Sequence, residues 1–100
     1  MNEIFIKNEY MKILNDIFDN YCPKAQIYAY GSRVKNEAHD GSDLDLVIMS
    51  FGDTNLSIGE LRLIINDSNI PFLVDINEFN SFPESFQNEI LKNCIKIYGQ

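Results

Sequence analysis

The chain has 100 residues, 45% of them hydrophobic, which fits one compact domain over residues 1–100 and excludes a disordered, tail-like polymer. Fifteen acidic against eight basic residues give a formal net charge of −7, which speaks against the broad basic surface that extended nucleic-acid binding requires. No apolar run approaches the roughly 18 residues of a membrane span, and the N-terminus lacks the basic-then-apolar order of a signal peptide, so a cytoplasmic protein with reduced Cys22 and Cys94 is expected.

Ile6, Tyr10, Ile13, Leu14, Ile17, Phe18 and Tyr21 recur at helical spacing and predict a helix over residues 5–20, ended by Pro23. Residues 25–30 alternate as a strand, with Ile27 and Ala29 on one face and Tyr28 and Tyr30 on the other. These tyrosines either pack on the first helix or line a cleft. Gly31-Ser32 breaks the strand, and a short helical turn is expected through Lys35. The polar stretch from Asn36 to Ser42 reads as a loop. Residues 43–49 form a second strand, with Asp43, Asp45 and Val47 facing one way and Leu44, Leu46 and Ile48 the other.

A helix over 57–67 starts at a capping-box pattern, Ser57 with Glu60, and turns Leu61, Ile64 and Ile65 inward. Residues 72–77 predict a third strand, with Phe72, Val74 and Ile76 inward and Leu73, Asp75 and Asn77 opposite. A last helix begins near Pro83, with Ser81 and Glu84 repeating the capping pattern and Phe82 able to meet Phe86. Residues 95–98 suggest a short edge strand. The order is that of an α/β or α+β domain, a small mixed sheet flanked by helices.

Three features carry chemistry. Asp43 and Asp45 flank one residue of a strand, so their Cβ atoms lie roughly 6–7 Å apart on one face. Two carboxylates that close repel each other, and a hard cation such as Mg²⁺ removes the repulsion. A solvated strand face explains the pair equally well. Asp75 sits mid-strand between Val74 and Ile76, an unusual place for an acid, and reaches the same site if its strand lies beside the second one. An exposed acid on a half-buried strand is the plainer reading. Gly31 permits close backbone approach to a phosphate and Ser32 adds a hydroxyl donor. Arg33 and Lys35 either meet phosphate charge or are ordinary surface charge. His39, the single histidine, reads as a solvated loop residue.

Joined together, Gly31-Ser32-Arg33-Val34-Lys35, ten residues between Ser32 and Asp43, Gly41-Ser42-Asp43-Leu44-Asp45-Leu46, and Pro71-Phe72-Leu73-Val74-Asp75-Ile76 form a pattern over nearly the whole chain. It resembles the minimal nucleotidyltransferases of the DNA polymerase β superfamily. The resemblance implies the polymerase-β-like fold. It implies that Gly31 and Ser32 hold nucleotide phosphates, with Arg33 and Ser42 beside them. It implies that Asp43 and Asp45 bind one or two magnesium ions, and that Asp75 completes the metal site and helps deprotonate the acceptor. The reaction it implies moves a nucleoside monophosphate, AMP from ATP, to a hydroxyl. Small members of this family are paired with a helical HEPN-type protein or with a helical substrate-binding subunit, which makes an antitoxin that modifies its partner the leading expectation. A binding module that neutralises its partner without catalysis, and a small-molecule transferase of the antibiotic-modifying type, are the alternatives. Asn36 stands where many relatives have Gly, and the loop Glu37-Ala38-His39-Asp40 is more acidic than a triphosphate neighbour is expected to be.

Overall fold

Four strands form one sheet in the order β3-β2-β1-β4, with α1 and α2 packed on one face and α3 at the other. The computed structural model describes residues 4–31, 33–34 and 42–99. In chain order the elements are α1 (Asn8–Tyr21), β1 (Gln26–Tyr30), β2 (Leu44–Ser50), α2 (Ile58–Asn66), β3 (Val74–Glu78), a 3-10 turn (Phe79–Ser81), α3 (Glu84–Lys92) and β4 (Ile95–Tyr98). β1 pairs antiparallel with both β2 and β4, while β2 and β3 are parallel and joined through α2. The expected mixed sheet with flanking helices is therefore what the chain forms.

Strand alternation divides the molecule into two faces. Ile27 and Ala29 of β1, Leu44, Leu46 and Ile48 of β2, and Val74 and Ile76 of β3 bury against Leu14 and Phe18 of α1 and Leu61 and Ile65 of α2. Each large side chain buried there contributes about 1.5–3 kcal/mol relative to exposure, so this one-sided layer dominates the folding energy. The other face carries Tyr28, Tyr30, Asp45, Val47, Asp75 and Asn77, the residues that alternate with the apolar set. There Phe82 and Phe86 meet each other at 4.9 Å between ring centroids and approach Tyr30 edge-on at 6.5 and 6.0 Å. Tyr30 thus belongs to the α3 side, away from the first helix.

The capping box of α2 forms as read: Glu60 N–H donates to Ser57 Oγ at 3.1 Å, and Ser57 N–H donates to Glu60 Oε1 at 3.2 Å. Three other expectations need correction. The first helix begins at Asn8 rather than residue 5, because Phe5 is drawn off as extended chain; its N–H donates to the Arg33 carbonyl at 2.7 Å. β3 begins at Val74, two residues late, with Phe72 turned to a tertiary contact described below. Ser81 does not cap α3. It closes the 3-10 turn instead, donating to the Glu78 carbonyl at 2.6 Å, and the side chain of Gln87 ties that turn to α3 by donating to the Phe79 and Phe82 carbonyls.

Candidate active site

Register brings the distant acids together. Asp45 pairs with Tyr30 across the antiparallel ladder and with Asp75 across the parallel one. Tyr30, Asp45 and Asp75 therefore form one row across three adjacent strands, on the face left open by α1 and α2. Neighbouring strands lie about 4.8 Å apart, so the backbone positions of the two acids are closer together than those of residues two apart on one strand. Asp43 stands two residues before Asp45, at the mouth of β2, and is exposed.

Electrostatics mark Asp45 as the focus. Its half-buried carboxyl is pushed above the usual carboxylate range, first by burial, then by the charge of Asp75, then by that of Asp43. The Tyr30 hydroxyl is pushed up to about 12 by burial and by the same two carboxylates, Asp45 and Asp75, so it stays protonated. Asp75 is exposed and accepts a hydrogen bond from Asn77 Nδ2 at 3.1 Å. Asn77 in turn accepts from Arg62 Nη2 at 2.5 Å. Neither Arg62 nor Asn77 stood out in the sequence as a site residue, although Asn77 shares the alternation of Asp75.

Gly31 lies against Asp45. Its φ of +83° is in the left-handed region, and a Cβ built there would collide with Asp45 Oδ2 and sit 3.3 Å from its Cγ. Glycine is needed at this position twice, for the backbone conformation and for the space that the carboxylate occupies. The following turn closes when Val34 N–H donates to the Gly31 carbonyl at 3.1 Å. Ser32, Lys35, Asn36 and His39 lie outside the described residues, as does the acidic segment 37–40.

Arg33 occupies a place that its position in sequence does not suggest. It is only 2% exposed. Its Nε and Nη2 donate to the Ser42 carbonyl at 3.0 and 2.7 Å, and Nη1 donates to the Phe5 carbonyl at 2.6 Å. The guanidinium lies 4.1 Å from the centroid of the Phe72 ring. Arg33 thereby joins the start of the loop to its end at Ser42 and fastens both to the N-terminal segment. The ring and the carbonyls that hold it are contributed by residues 5, 42 and 72.

The donor set suits a hard divalent cation. Among the described residues no three His, Cys, Asp or Glu side chains come together as a ready-made metal site, so Asp43, Asp45 and Asp75 do not converge as a three-acid set. Mg²⁺ needs no such set, since it is usually held by one or two carboxylates together with waters and substrate phosphates. Asp45, disfavoured as an anion by burial and by the charges of Asp75 and Asp43, lies opposite the exposed Asp75, and the pair has the chemistry of such a half-site.

Residues 12–100 match the family model described as polymerase beta, nucleotidyltransferase. The probable protein adenylyltransferase MntA of Haemophilus influenzae is 33% identical over 96 residues, covering 95% of this chain and 84% of that protein. A crystal structure described as a toxin-antitoxin with AMP-PNP superposes with a TM-score of 0.69 at 23% identity, covering 94% of this chain and 75% of the other, and so shares its fold. No helix among the described residues is long and apolar enough to cross a membrane.

Proposed function

The chain belongs to the polymerase beta nucleotidyltransferase family, and on that premise we propose that it is a magnesium-dependent protein adenylyltransferase that moves AMP from ATP to a hydroxyl of a helical, HEPN-type partner, as the antitoxin of a toxin-antitoxin pair. The observation that carries this reading is the row of Asp45 and Asp75 on adjacent parallel strands with Gly31 packed against Asp45. The similarity to MntA supports adenylyl transfer as the reaction, and the shared fold with a toxin-antitoxin that holds AMP-PNP is consistent with ATP as donor.

In this reading each residue has a distinct task. The Gly31 turn, with Ser32, offers backbone N–H groups and a hydroxyl to the nucleotide phosphates. Asp43 and Asp45 hold Mg²⁺, and Asp75 completes the site. Bound metal would neutralise the three carboxylates and stabilise charge on the attacking and leaving oxygens of an in-line displacement. Asp75, exposed at the edge of the row, is placed to accept the proton of the acceptor hydroxyl. Tyr30, kept protonated, remains a donor and does not compete as a nucleophile. Arg33 ties the Gly31 turn to Ser42 and to the N-terminal segment.

The test is transfer of label from α-labelled ATP, with Mg²⁺, to the product of a neighbouring gene if that product is a helical, HEPN-type protein. Label is expected on the partner with the wild-type chain and not with an Asp43→Ala, Asp45→Ala double variant. Equal labelling by the double variant would remove the metal role. Full protection of cells by that variant would favour neutralisation by contact alone.

A further inference from the structure

The hydrogen bonds around Asp75 run in one chain that begins on a helix of the opposite face. Arg62 belongs to α2, which packs on the apolar side of the sheet, whereas Asn77 pairs with Val47 and stands on the acid side. β3 is an edge strand, so the Arg62 side chain can pass around its open edge. On the way Nε donates to the Ile76 carbonyl at 2.9 Å, covering an acceptor that the sheet leaves without a strand partner. Nη2 then donates to Asn77 Oδ1 at 2.5 Å, and Asn77 Nδ2 donates to Asp75 Oδ1 at 3.1 Å.

The direction of this chain is dictated by chemistry. A guanidinium carries donors only, so Asn77 must turn its oxygen towards Arg62. Its amide nitrogen is then forced towards Asp75, and an ionised carboxylate only accepts. Reversing the amide would set two donors against each other at one end and two acceptors at the other. We propose that Arg62 and Asn77 are positioning residues that hold the Asp75 carboxylate in the orientation the transfer reaction uses. This rests on the reading of Asp75 as part of the active site. Partners of this kind are commonly worth 10–100-fold in activity, although they touch neither metal nor substrate.

Asn77→Asp separates positioning from structure. The new carboxylate still accepts from Arg62, so the edge of β3 stays fastened, but it has no proton to offer Asp75 and adds a like charge beside it. The like charge is expected to lower the melting temperature in EDTA by no more than roughly 4–8 °C, while AMP transfer to the partner, read well below either melting temperature, falls about 10–100-fold. Arg62→Leu is expected to lose rate to a similar extent, and combining the two changes is expected to cost no more than either alone, because they interrupt one chain. Wild-type turnover by Asn77→Asp, or a rate loss that merely follows a fall in melting temperature, overturns the proposal. The side-chain amide of Asn77, read by NMR, tests the chain of bonds without turnover. In Arg62→Leu its two protons should move towards the positions of a free amide and exchange faster with water; unchanged resonances refute the relay. Should the wild type transfer no AMP at all, the functional reading fails while the NMR result still decides the relay.

Discussion

If the acid row is a site held in tension, then Asp45→Asn should make the metal-free protein more stable and at the same time abolish its response to ligand. Asp45 lies opposite Asp75 on adjacent strands, and its carboxyl is raised by burial and by the charges of Asp75 and Asp43. Two unit charges ~5 Å apart repel by about 0.8 kcal/mol in bulk water and about 3 kcal/mol at an effective dielectric of ~20. Asp43 and Asp75 are exposed, so the watery limit governs and the relief per pair is about 1 kcal/mol. For a domain of this size that corresponds to a rise in melting temperature of roughly 4–8 °C. The sign follows from linkage. The folded pKa of Asp45 lies above the unfolded value, so the fold prefers the protonated acid, and stability is lost as pH rises from the unfolded pKa through the folded one. Melting curves in EDTA should therefore show Asp45→Asn above the wild type at pH 7, with the gap closing towards pH 4. In Mg²⁺ with AMP-PNP the order should invert, since saturation to 100 times Kd adds about 2.7 kcal/mol to whichever chain binds. An Asp45→Asn protein that melts at or below the wild type in EDTA would refute the repulsion. Equal gains for both proteins with Mg²⁺ and AMP-PNP would refute Asp45 as a ligand.

Gly31→Ala should cost about 1–2 kcal/mol from the left-handed backbone alone and should also drive the Asp45 carboxylate out of place, so AMP transfer is expected to fall well beyond what the melting temperature accounts for. Arg33→Leu leaves the carbonyls of Phe5 and Ser42 without their charged donor; at about 1.5–3 kcal/mol for a hydrogen bond to a charged group, a loss above ~3 kcal/mol is expected in urea unfolding, and Arg33→Lys should recover only part of it. Ser57→Ala removes one half of the α2 capping box and should cost about 1 kcal/mol, read as faster amide exchange at Glu60 with little change in nucleotide affinity.

The strands were legible because one face of each carries the apolar set that packs under α1 and α2. Leu44, Leu46 and Ile48 against Asp45 and Val47 leave no second way to orient β2. Alternation also put Asp75 and Asn77 on a common face, but no local signal states which strand stands opposite which. The pairing of Asp45 with Asp75 follows from the α2 connection between parallel strands, and that is a tertiary fact. The misjudged start of α1 has the same origin. Ile6 and Tyr10 fit helical spacing, yet Lys7 provides no side-chain cap, and the backbone of Phe5 bonds with Arg33 from both its N–H and its carbonyl. Arg33 itself reads in sequence as a cation beside a phosphate turn. Its burial depends on a ring at Phe72 and carbonyls at Phe5 and Ser42, none of which is a sequence neighbour.

These misreadings and the site share one cause. The apolar face of the sheet collects nearly all the stabilising burial, under two helices whose spacing is plain in the sequence. The opposite face is thereby free to hold groups that do not stabilise the fold: two carboxylates in register, a third at the strand mouth, and a glycine that keeps a side chain's width of space beside them. Such a face is kept ordered from its margins. Arg33 binds the loop at one end of β2, Arg62 comes around the edge of β3, and both guanidinium groups stand on backbone carbonyls. In a chain of net charge −7, two of the few cations are thus spent on framework rather than on the acid row.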